Sequence, residues 1–321
     1  MIKSTVNLPI RWSRKLSIFF IQLTIFPVCL LAVVGFFTLI ERKILGLIQK
    51  RKGPNKVSLL GTLQPIRDAI KLFTKVNTSP LYRNKKTYFL SSLYFLLIPL
   101  VFTGFKPYIW VLTESKRILF CILIFTIGVF STLLRGWSSN SKFSLLGCMR
   151  GIAQSISYEI IIGLLILIIR ISISSFSIYE AICFNFTSPL FLVCNIFTVI
   201  LLISLVIELN RSPFDLAECE SELVSGFNVE YGGVEFRLIF LGENLMIVIC
   251  SLIISILFFF YPLTEVVTLS FIFVIVIIRG RLPRFRFDKI IHLCWLNLLP
   301  LCLTLSLLFF SLSFNPMINV Y

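Results

Sequence analysis

Long apolar runs recur along the chain and set its sequence pattern. A helix needs about 20 apolar residues to cross about 30 Å of hydrocarbon, and about eight runs approach that length. Unbroken runs lack the alternation of a membrane β-barrel, so each is predicted to be a helix. The pattern predicts an all-α integral membrane protein with one polytopic domain over residues 1–321. The runs are approximately Leu16–Ile40, Tyr88–Phe105, Ile118–Leu134, Gly147–Ile169, Pro189–Ile207, Leu238–Phe260, Pro262–Ile278 and Ile290–Phe314.

The composition supports a lipid environment. Hydrophobic residues make up 57% of the chain and charged residues 14%, and the mean hydropathy is +0.96. In soluble domains about 45–50% of the residues are hydrophobic and about 25% are charged. These values exclude a soluble enzyme, a nucleic-acid-binding domain and a secreted disulfide scaffold.

The basic residues predict the orientation of the helices. The formal net charge is +15, and most of the Lys and Arg residues lie in 41–86, 135–150, 208–237 and 279–289. These segments are predicted to be loops that follow the odd-numbered runs. By the positive-inside rule they face the cytoplasm, or the matrix in an organelle, so both termini face the opposite side. Residues 1–16 form an N-terminal extension before a first span that is too long for a signal peptide.

Cysteine and histidine spacing gives no sign of a bound metal or cluster. The nine cysteines form no C-x-x-C pair, and His292 is the single histidine. Zinc, haem and iron–sulfur sites need closely spaced ligands of these types. The chain is therefore predicted to bind no cofactor of its own, and its thiols are interpreted as buried and inert.

The segment 41–86 is a basic amphipathic loop. Arg67, Lys71 and Lys75 lie on one face of a predicted helix that would rest in the lipid headgroup layer. This helix is either a surface anchor or one side of the entry point for an amphipathic ligand that travels in the lipid. The opposite, apolar face contains Leu59, Leu63, Ile66, Ile70 and Phe73.

Glu159 and Glu243 are acids that fall within apolar runs. Glu159 precedes an almost unbroken apolar stretch, and Glu243 lies five residues into the sixth run. A charged side chain within a span costs about 2.5–3.5 kcal/mol on insertion scales, so such residues are functional candidates. Alternatively, each lies near a helix end and reaches water.

The acidic loop 208–237 has the most specific pattern. Ser212 as N-cap and Pro213 at the first helical position predict a short helix that ends near Gly226. On that helix Asp215, Glu218 and Glu222 would share one face and titrate as a coupled set. The segment is either a solvated loop or a protonatable cluster beside an apolar cavity, and interleaved apolar residues favour the cluster.

The basic segment Arg279–Lys289 has two interpretations. It is either the positive anchor of the last span or a countercharge to the acidic loop on the same side of the membrane.

Several stretches together resemble the family of chain 1 of respiratory NADH:quinone oxidoreductase, or complex I. The likeness runs in order from about residue 30 to about residue 300. The matching stretches are Glu41–Gly46, Arg51–Asn55, Gln64-Pro65, Asp68-Ala69, Lys71–Lys75, Gly136–Asn140, Gln154, Ile156–Glu159, Asn210-Arg211, Pro213–Glu218, Glu220–Asn228, Glu230-Tyr231, Pro283–Arg286 and Asp288.

The resemblance implies roles for particular residues. The subunit would form the lateral mouth and wall of a quinone tunnel, with ubiquinone as the substrate. An acidic funnel would couple quinone reduction to proton pumping, through Glu159, Glu208, Asp215, Glu218, Glu220, Glu222, Glu230 and Glu243. Tunnel and matrix-loop contacts would come from Arg42, Arg51, Asp68, Phe214, Phe227, Arg211, Arg284 and Arg286.

The resemblance also implies partners and a location. The chain would join other membrane and hydrophilic subunits of complex I, which carry NADH, FMN and the iron–sulfur clusters. The implied location is the mitochondrial inner membrane, and a bacterial plasma membrane is the alternative. The sequence departs from the family pattern in its longer N-terminus and in three added charges, Arg67, Glu235 and Arg237.

The predicted function is therefore that of a proton-coupling subunit without a complete active site. The chain contains no Gly-rich dinucleotide fingerprint, so it is not predicted to oxidise NADH itself. A stand-alone cation/proton antiporter is the alternative, because buried acids also line transport pathways. The lack of an internal repeat counts against an antiporter. A structural anchor for a peripheral enzyme is a third interpretation.

Overall fold

A computed structural model describes residues 7–76, 82–102, 117–173, 195–217, 226–259 and 263–313, and the single positions 80, 181, 185 and 190. Regular structure within these residues is entirely helical, which confirms the predicted all-α class. The α-helices are α1 (Asn7–Ile48), α2 (Gln64–Thr74), α3 (Lys85–Phe102), α4 (Arg117–Ser139), α5 (Lys142–Ile173), α6 (Asn195–Glu208), α7 (Gly233–Phe258), α8 (Thr264–Arg281), α9 (Phe287–His292) and α10 (Leu299–Ser313).

Helices cover all or part of each predicted apolar run. Within the described residues, four segments are long and apolar enough to cross a membrane: Leu119–Ser139, Lys142–Ile169, Gly233–Phe258 and Phe287–Leu308. The last of these joins α9 to α10 through a π-helical segment, Leu293–Leu298.

The prediction of a loop over 135–150 is wrong. Helix α4 continues to Ser139 and α5 begins at Lys142, so Asn140 and Ser141 alone connect them. Asn140 has a φ of 53°, in the left-handed region that asparagine tolerates better than most residues. The hydroxyl of Ser139 donates a 2.7 Å hydrogen bond to Ser144 across this turn. As a result, Arg135 is a buried residue of a helix rather than part of a solvated loop.

The basic segment 41–86 contains more than one element. Helix α1 extends to Ile48, and Leu59 belongs to a 3-10 turn, Leu59–Gly61, that precedes α2. The turn cannot continue into a regular helix, because Leu60 has a φ of 59°. The amphipathic helix is therefore shorter than its apolar stripe predicts, and Lys75 lies just beyond its end.

The prediction of a helix that starts at Ser212 and Pro213 is wrong as far as Ala217. Residues 212–217 form consecutive turns, with the amide of Phe214 donating to the carbonyl of Arg211 at 2.8 Å. Tertiary contacts to this segment, described below, override its local capping signals. Glu218, Glu220 and Glu222 lie outside the described residues, so the shared acidic face is not tested.

Two helices organise the packing. Helix α7 contacts α1, α2, α3, α6 and α8, whereas α5 contacts α4, α6 and α10. Close approach of α7 to α3 depends on Gly242, where an added Cβ would lie 2.7 Å from the ring of Phe95. Between α5, α6 and α7 the core is apolar and includes Ile161, Leu201 and Ile247.

Candidate functional site

A cavity lies where α3, α4, α6 and α7 meet the 3-10 turn Gly226–Asn228. We call it the acidic cavity. Its lining includes the aromatic residues Phe95 and Phe227 and the polar residues Arg135, Glu208, Asn210 and Glu243. Two acids and a guanidinium thus border one space inside an otherwise apolar bundle.

Glu243 forms an ion pair inside the bundle. Its Oε2 accepts a hydrogen bond from Nη2 of Arg211 at 3.0 Å, and the two side chains are 11% and 10% exposed. Arg211 follows the end of α6, whereas Glu243 lies on α7. The pair links these elements at the cavity wall, and its shielding from water makes the loss of either partner costly.

Glu208 and Glu159 are two further acids on neighbouring helices, α6 and α5. Oε2 of Glu208 and Oε1 of Glu159 are buried, and neither has a hydrogen-bond partner within the described residues. The two carboxylates interact electrostatically with each other across α6 and α5. Negative charge on one of these acids disfavours negative charge on the other.

Arg135 is a site residue that sequence reasoning missed. Its side chain is fully buried on α4, with its Cζ 3.7 Å from the ring centroid of Phe95 and 4.2 Å from that of Phe227. Both rings therefore present their electron-rich faces to the guanidinium. The sequence places Arg135 directly after a predicted apolar run, which is where a loop cation is also expected. Phe227, predicted as a tunnel contact, packs on this arginine.

Tyr231 anchors the chain segment that leads into α7. Its hydroxyl lies 3.1 Å from the hydroxyls of both Ser91 and Ser138, and it donates to the carbonyl of Arg135 at 3.2 Å. Its ring stacks on Tyr88 with centroids 4.2 Å apart. Burial raises the pKa of the Tyr231 phenol, although the bonds to Ser138 and Ser91 oppose this shift. The phenol therefore remains a hydrogen-bond donor at neutral pH.

Glu230 and Glu235 flank Tyr231. The backbone carbonyl of Glu230 accepts a 2.6 Å hydrogen bond from the hydroxyl of Tyr88, and the Glu230 side chain is half-buried. Glu235 is 8% exposed, and its Oε2 has no hydrogen-bond partner among the described residues. Glu230 was predicted in the acidic funnel, but it is not among the residues that line the acidic cavity.

Gln154 holds the start of the acidic loop against α5. Its Nε2 donates to the carbonyl of Ile207 at 2.7 Å and to that of Phe214 at 3.0 Å. One buried amide thereby connects the end of α6 to the turns that follow it. This contact is one reason why residues 212–217 do not form the predicted helix.

The segment before α9 supplies a countercharge to the acidic loop. Nη2 of Arg284 lies 3.5 Å from Oδ2 of the buried Asp215. The amide of Phe285 donates to the carbonyl of Pro213 at 3.0 Å, and its ring stacks on Phe214 with centroids 5.3 Å apart. The structure thus favours the countercharge interpretation of this segment over a simple anchor.

Both described ends of the acid-rich stretch 218–225 lie against one glycine. A Cβ added to Gly147 of α5 would lie 2.8 Å from the carbonyl oxygen of Ala217 and 2.9 Å from the Cα of Gly226. Real Cβ atoms do not approach backbone this closely without displacement. A glycine is therefore required at 147 for Ala217 and Gly226 to pack this closely on α5.

The remaining predicted contacts lie in more exposed positions. Arg42 pairs with Asp68 at 2.6 Å, with 47% and 32% of the side chains exposed. Arg286 lies 3.7 Å from Asp288, and both side chains are more than three-quarters exposed. Arg51 is exposed after α1. These residues form a peripheral group that is separate from the acidic cavity.

Arg237 connects α7 to α2. Its Nη2 donates to the carbonyl of Ala69 at 2.8 Å, and its Cζ lies 3.1 Å from the ring centroid of Phe73. Arg237 itself is 4% exposed. The sequence shows it only as an added charge before the sixth apolar run.

The described residues contain no group of three or more His, Cys, Asp or Glu side chains arranged to hold a metal ion. Within the same residues, Cys121, Cys148, Cys250, Cys294 and Cys302 are buried free thiols, whereas Cys29 is exposed. The interpretation of the thiols as buried is therefore wrong for Cys29.

Comparison with known proteins gives a consistent result. A family model described as NADH dehydrogenase matches residues 21–310. NADH-ubiquinone oxidoreductase chain 1 of Aedes aegypti is 42% identical over 296 residues, which are 89% of this chain and 92% of the relative. The chain 1 proteins of Locusta migratoria and Monodelphis domestica are 40% and 38% identical, over 93% and 92% of this chain and 96% of each relative.

Proposed function

This chain belongs to the NADH-ubiquinone oxidoreductase chain 1 family and is a subunit of that enzyme, and from this premise we propose how it works. It forms the entrance and much of the wall of a ubiquinone tunnel. It also couples ubiquinone reduction to proton translocation through its buried carboxylates. NADH, FMN and the iron–sulfur clusters belong to partner subunits of the complex.

The acidic cavity is the observation that carries the proposal. Glu208 and Glu243 border it from two helices of an apolar bundle, and Glu159 interacts with Glu208 from a third. Acids within a membrane domain are costly, and they are typical of proton pathways. A set of interacting carboxylates can move a proton by exchanging which member is charged.

The coupling step follows from charge balance. Reduction of a quinone adds electrons and creates a demand for protons near the tunnel. A carboxylic acid that releases a proton becomes charged, and that charge raises the proton affinity of its neighbours. At the cavity wall, Glu243 has two charge states: the carboxylate forms an ion pair with Arg211, and protonation of Glu243 removes that ion pair. These linked states transmit the effect of reduction to the next acid.

Helix α2 is the proposed side of the entrance. Ile66, Ile70 and Phe73 are each more than half exposed, whereas Arg67 and Lys71 lie on the polar face. Such a helix rests in the headgroup layer, which is where a lipid-borne quinone headgroup travels. In this arrangement about eight helices cross the inner mitochondrial membrane, with the basic loops in the matrix and the termini on the intermembrane-space side.

Substitution of the buried carboxylates tests the coupling role. In the assembled complex, Glu208→Gln and Glu159→Gln should each lower ubiquinone-linked NADH oxidation by at least about tenfold, since a removed proton carrier cannot be replaced by solvent. NADH oxidation by an artificial acceptor occurs in partner subunits and should stay within about twofold of wild type. Rates and proton translocation are measured in proteoliposomes.

The matched control is Glu265→Gln, which changes an exposed acid in the first turn of α8 and should behave as wild type. Full ubiquinone-linked rate and full proton stoichiometry in both buried-site variants would rule out the relay. Proton transport by the purified chain alone, without partners, would instead support the antiporter alternative.

A further inference from the structure

Helix α2 is attached to its two neighbours in different ways. On the α1 side, Arg42 reaches Asp68 through an ion pair that is well exposed to solvent. Exposed pairs of this kind contribute little to stability. On the α7 side, the contact is the buried guanidinium of Arg237. Of these two polar attachments, the one to α7 is therefore the better shielded from solvent.

Arg237 contacts α2 at two points on one face. Its Nη2 donates to the carbonyl of Ala69, and its guanidinium covers the ring of Phe73, which is one helical turn further on. A charge-assisted hydrogen bond and a cation–π contact act together here. Because both contacts come from one planar group, they restrict rotation of α2 as well as its distance from α7.

A role in general stability accounts poorly for this arginine. Its Nε and Nη1 are buried and have no hydrogen-bond partner within the described residues. Burial of incompletely paired charge is costly, and an apolar side chain of similar length would fill the same space without that cost. The distinctive contribution of Arg237 is the directional attachment of α2.

We propose that Arg237 is a positioning residue that fastens α2 to α7 and thereby sets the opening through which a long-tailed quinone enters. This inference rests on the proposed function of α2 as one side of the entrance. When α2 is fastened, the opening is preorganised for a headgroup that is followed by a tail. When α2 is released, binding must also order the helix, and apparent affinity falls. Because a long tail occupies the opening throughout turnover, binding of a long-tailed quinone depends more on the fixed position of α2 than binding of a short-tailed quinone does.

The test compares long-tailed and short-tailed quinones in the assembled complex. Arg237→Met keeps the apolar stem but removes both contacts, and it should raise KM for a long isoprenoid quinone by about tenfold. The change for a short-tailed quinone should be under about threefold, and kcat for either should remain near wild type. Hydrogen exchange of the amides in 64–74 should become faster. Arg281→Met, at an exposed arginine that ends α8, is the matched control and should change none of these values.

A second variant protects the test against a folding defect. Phe73→Leu removes only the cation–π partner, at a position that is 65% exposed, and should raise KM for the long-tailed quinone by about threefold. An unchanged ratio of long-tail to short-tail KM in both variants would overturn the proposal. A separate Glu208→Gln variant, assayed in the same way, distinguishes failure of the positioning role from failure of the proton relay. If Glu208→Gln abolishes pumping but the long-tail to short-tail KM ratio is unchanged in Arg237→Met, only the positioning role fails. If Glu208→Gln and Glu159→Gln both keep the full ubiquinone-linked rate and full proton stoichiometry, the proposed relay itself fails.

Discussion

The acidic cavity and the surface around α2 use the same charged residue types in opposite environments. In the cavity wall, Arg211 and Glu243 are about one-tenth exposed and pair across two elements. Beside α2, Arg42 and Asp68 form a shorter pair, yet 47% and 32% of these side chains are exposed. Distance alone therefore does not rank the two pairs. Solvent screens the outer pair, whereas the inner pair is largely shielded from solvent.

The largest effect is expected at the inner pair. Arg211→Met leaves the buried carboxylate of Glu243 without its ionic partner and should destabilise the complex by about 3–5 kcal/mol. Thermal unfolding of the purified complex measures the loss. The double variant Arg211→Met with Glu243→Met should recover much of that stability but not proton pumping. Recovery of both properties would show that the pair is structural only.

The second-largest effect is expected at Gly147. Gly147→Ala forces its new methyl group against the backbone of Ala217 and Gly226 and should cost about 1–3 kcal/mol. Ubiquinone-linked activity should fall with it, because both ends of the acid-rich stretch are displaced. The same helix offers a control in Gly163, where an added Cβ meets nothing within 4 Å. Equal behaviour of the two variants would show that the close approach at Gly147 is unimportant.

A smaller effect is expected at the countercharge segment. Phe285→Ala removes the ring that stacks on Phe214 and should lower stability by about 0.5–1.5 kcal/mol beyond the loss of buried area. The backbone hydrogen bond from this residue to Pro213 remains. Phe285→Tyr preserves the stack and serves as the comparison in the same unfolding assay. A larger loss in the tyrosine variant than in the alanine variant would contradict the role of the stack.

The smallest effect is expected at the outer pair. Arg42→Gln should cost less than about 1 kcal/mol, and the cost should decrease further as salt is added. Unfolding at low and high ionic strength measures both quantities. A loss as large as that of Arg211→Met would remove the distinction between the two regions.

Sequence reasoning succeeded where a signal extends over many residues. Apolar runs such as Leu238–Phe260 identify helices because about 20 consecutive residues carry the same information. It failed at short-range signals that tertiary contacts override. Ser212 and Pro213 have good helix-start chemistry, but Gln154 and Phe285 bind the backbone around them and hold it in turns.

Part of the candidate site was also accessible from the sequence. Glu159 and Glu243 stand out because an acid is unexpected within an apolar run, and Glu208 directly follows one. Arg135 does not stand out, since an arginine after an apolar run is typical of a loop. Its burial depends on α4 continuing to Ser139 and on two phenylalanines from other parts of the chain. No local pattern contains that information.

Gly147 of α5 also relates the residues on either side of the acid-rich stretch to a buried acid on the same helix. Ala217 and Gly226 both pack against Gly147 of α5. Glu159 lies 12 residues further along the same helix. At 1.5 Å per residue, the two residues are about 18 Å apart along the helix axis. Because α5 is one continuous helix between these two residues, a displacement of the helix at Gly147 would also move Glu159.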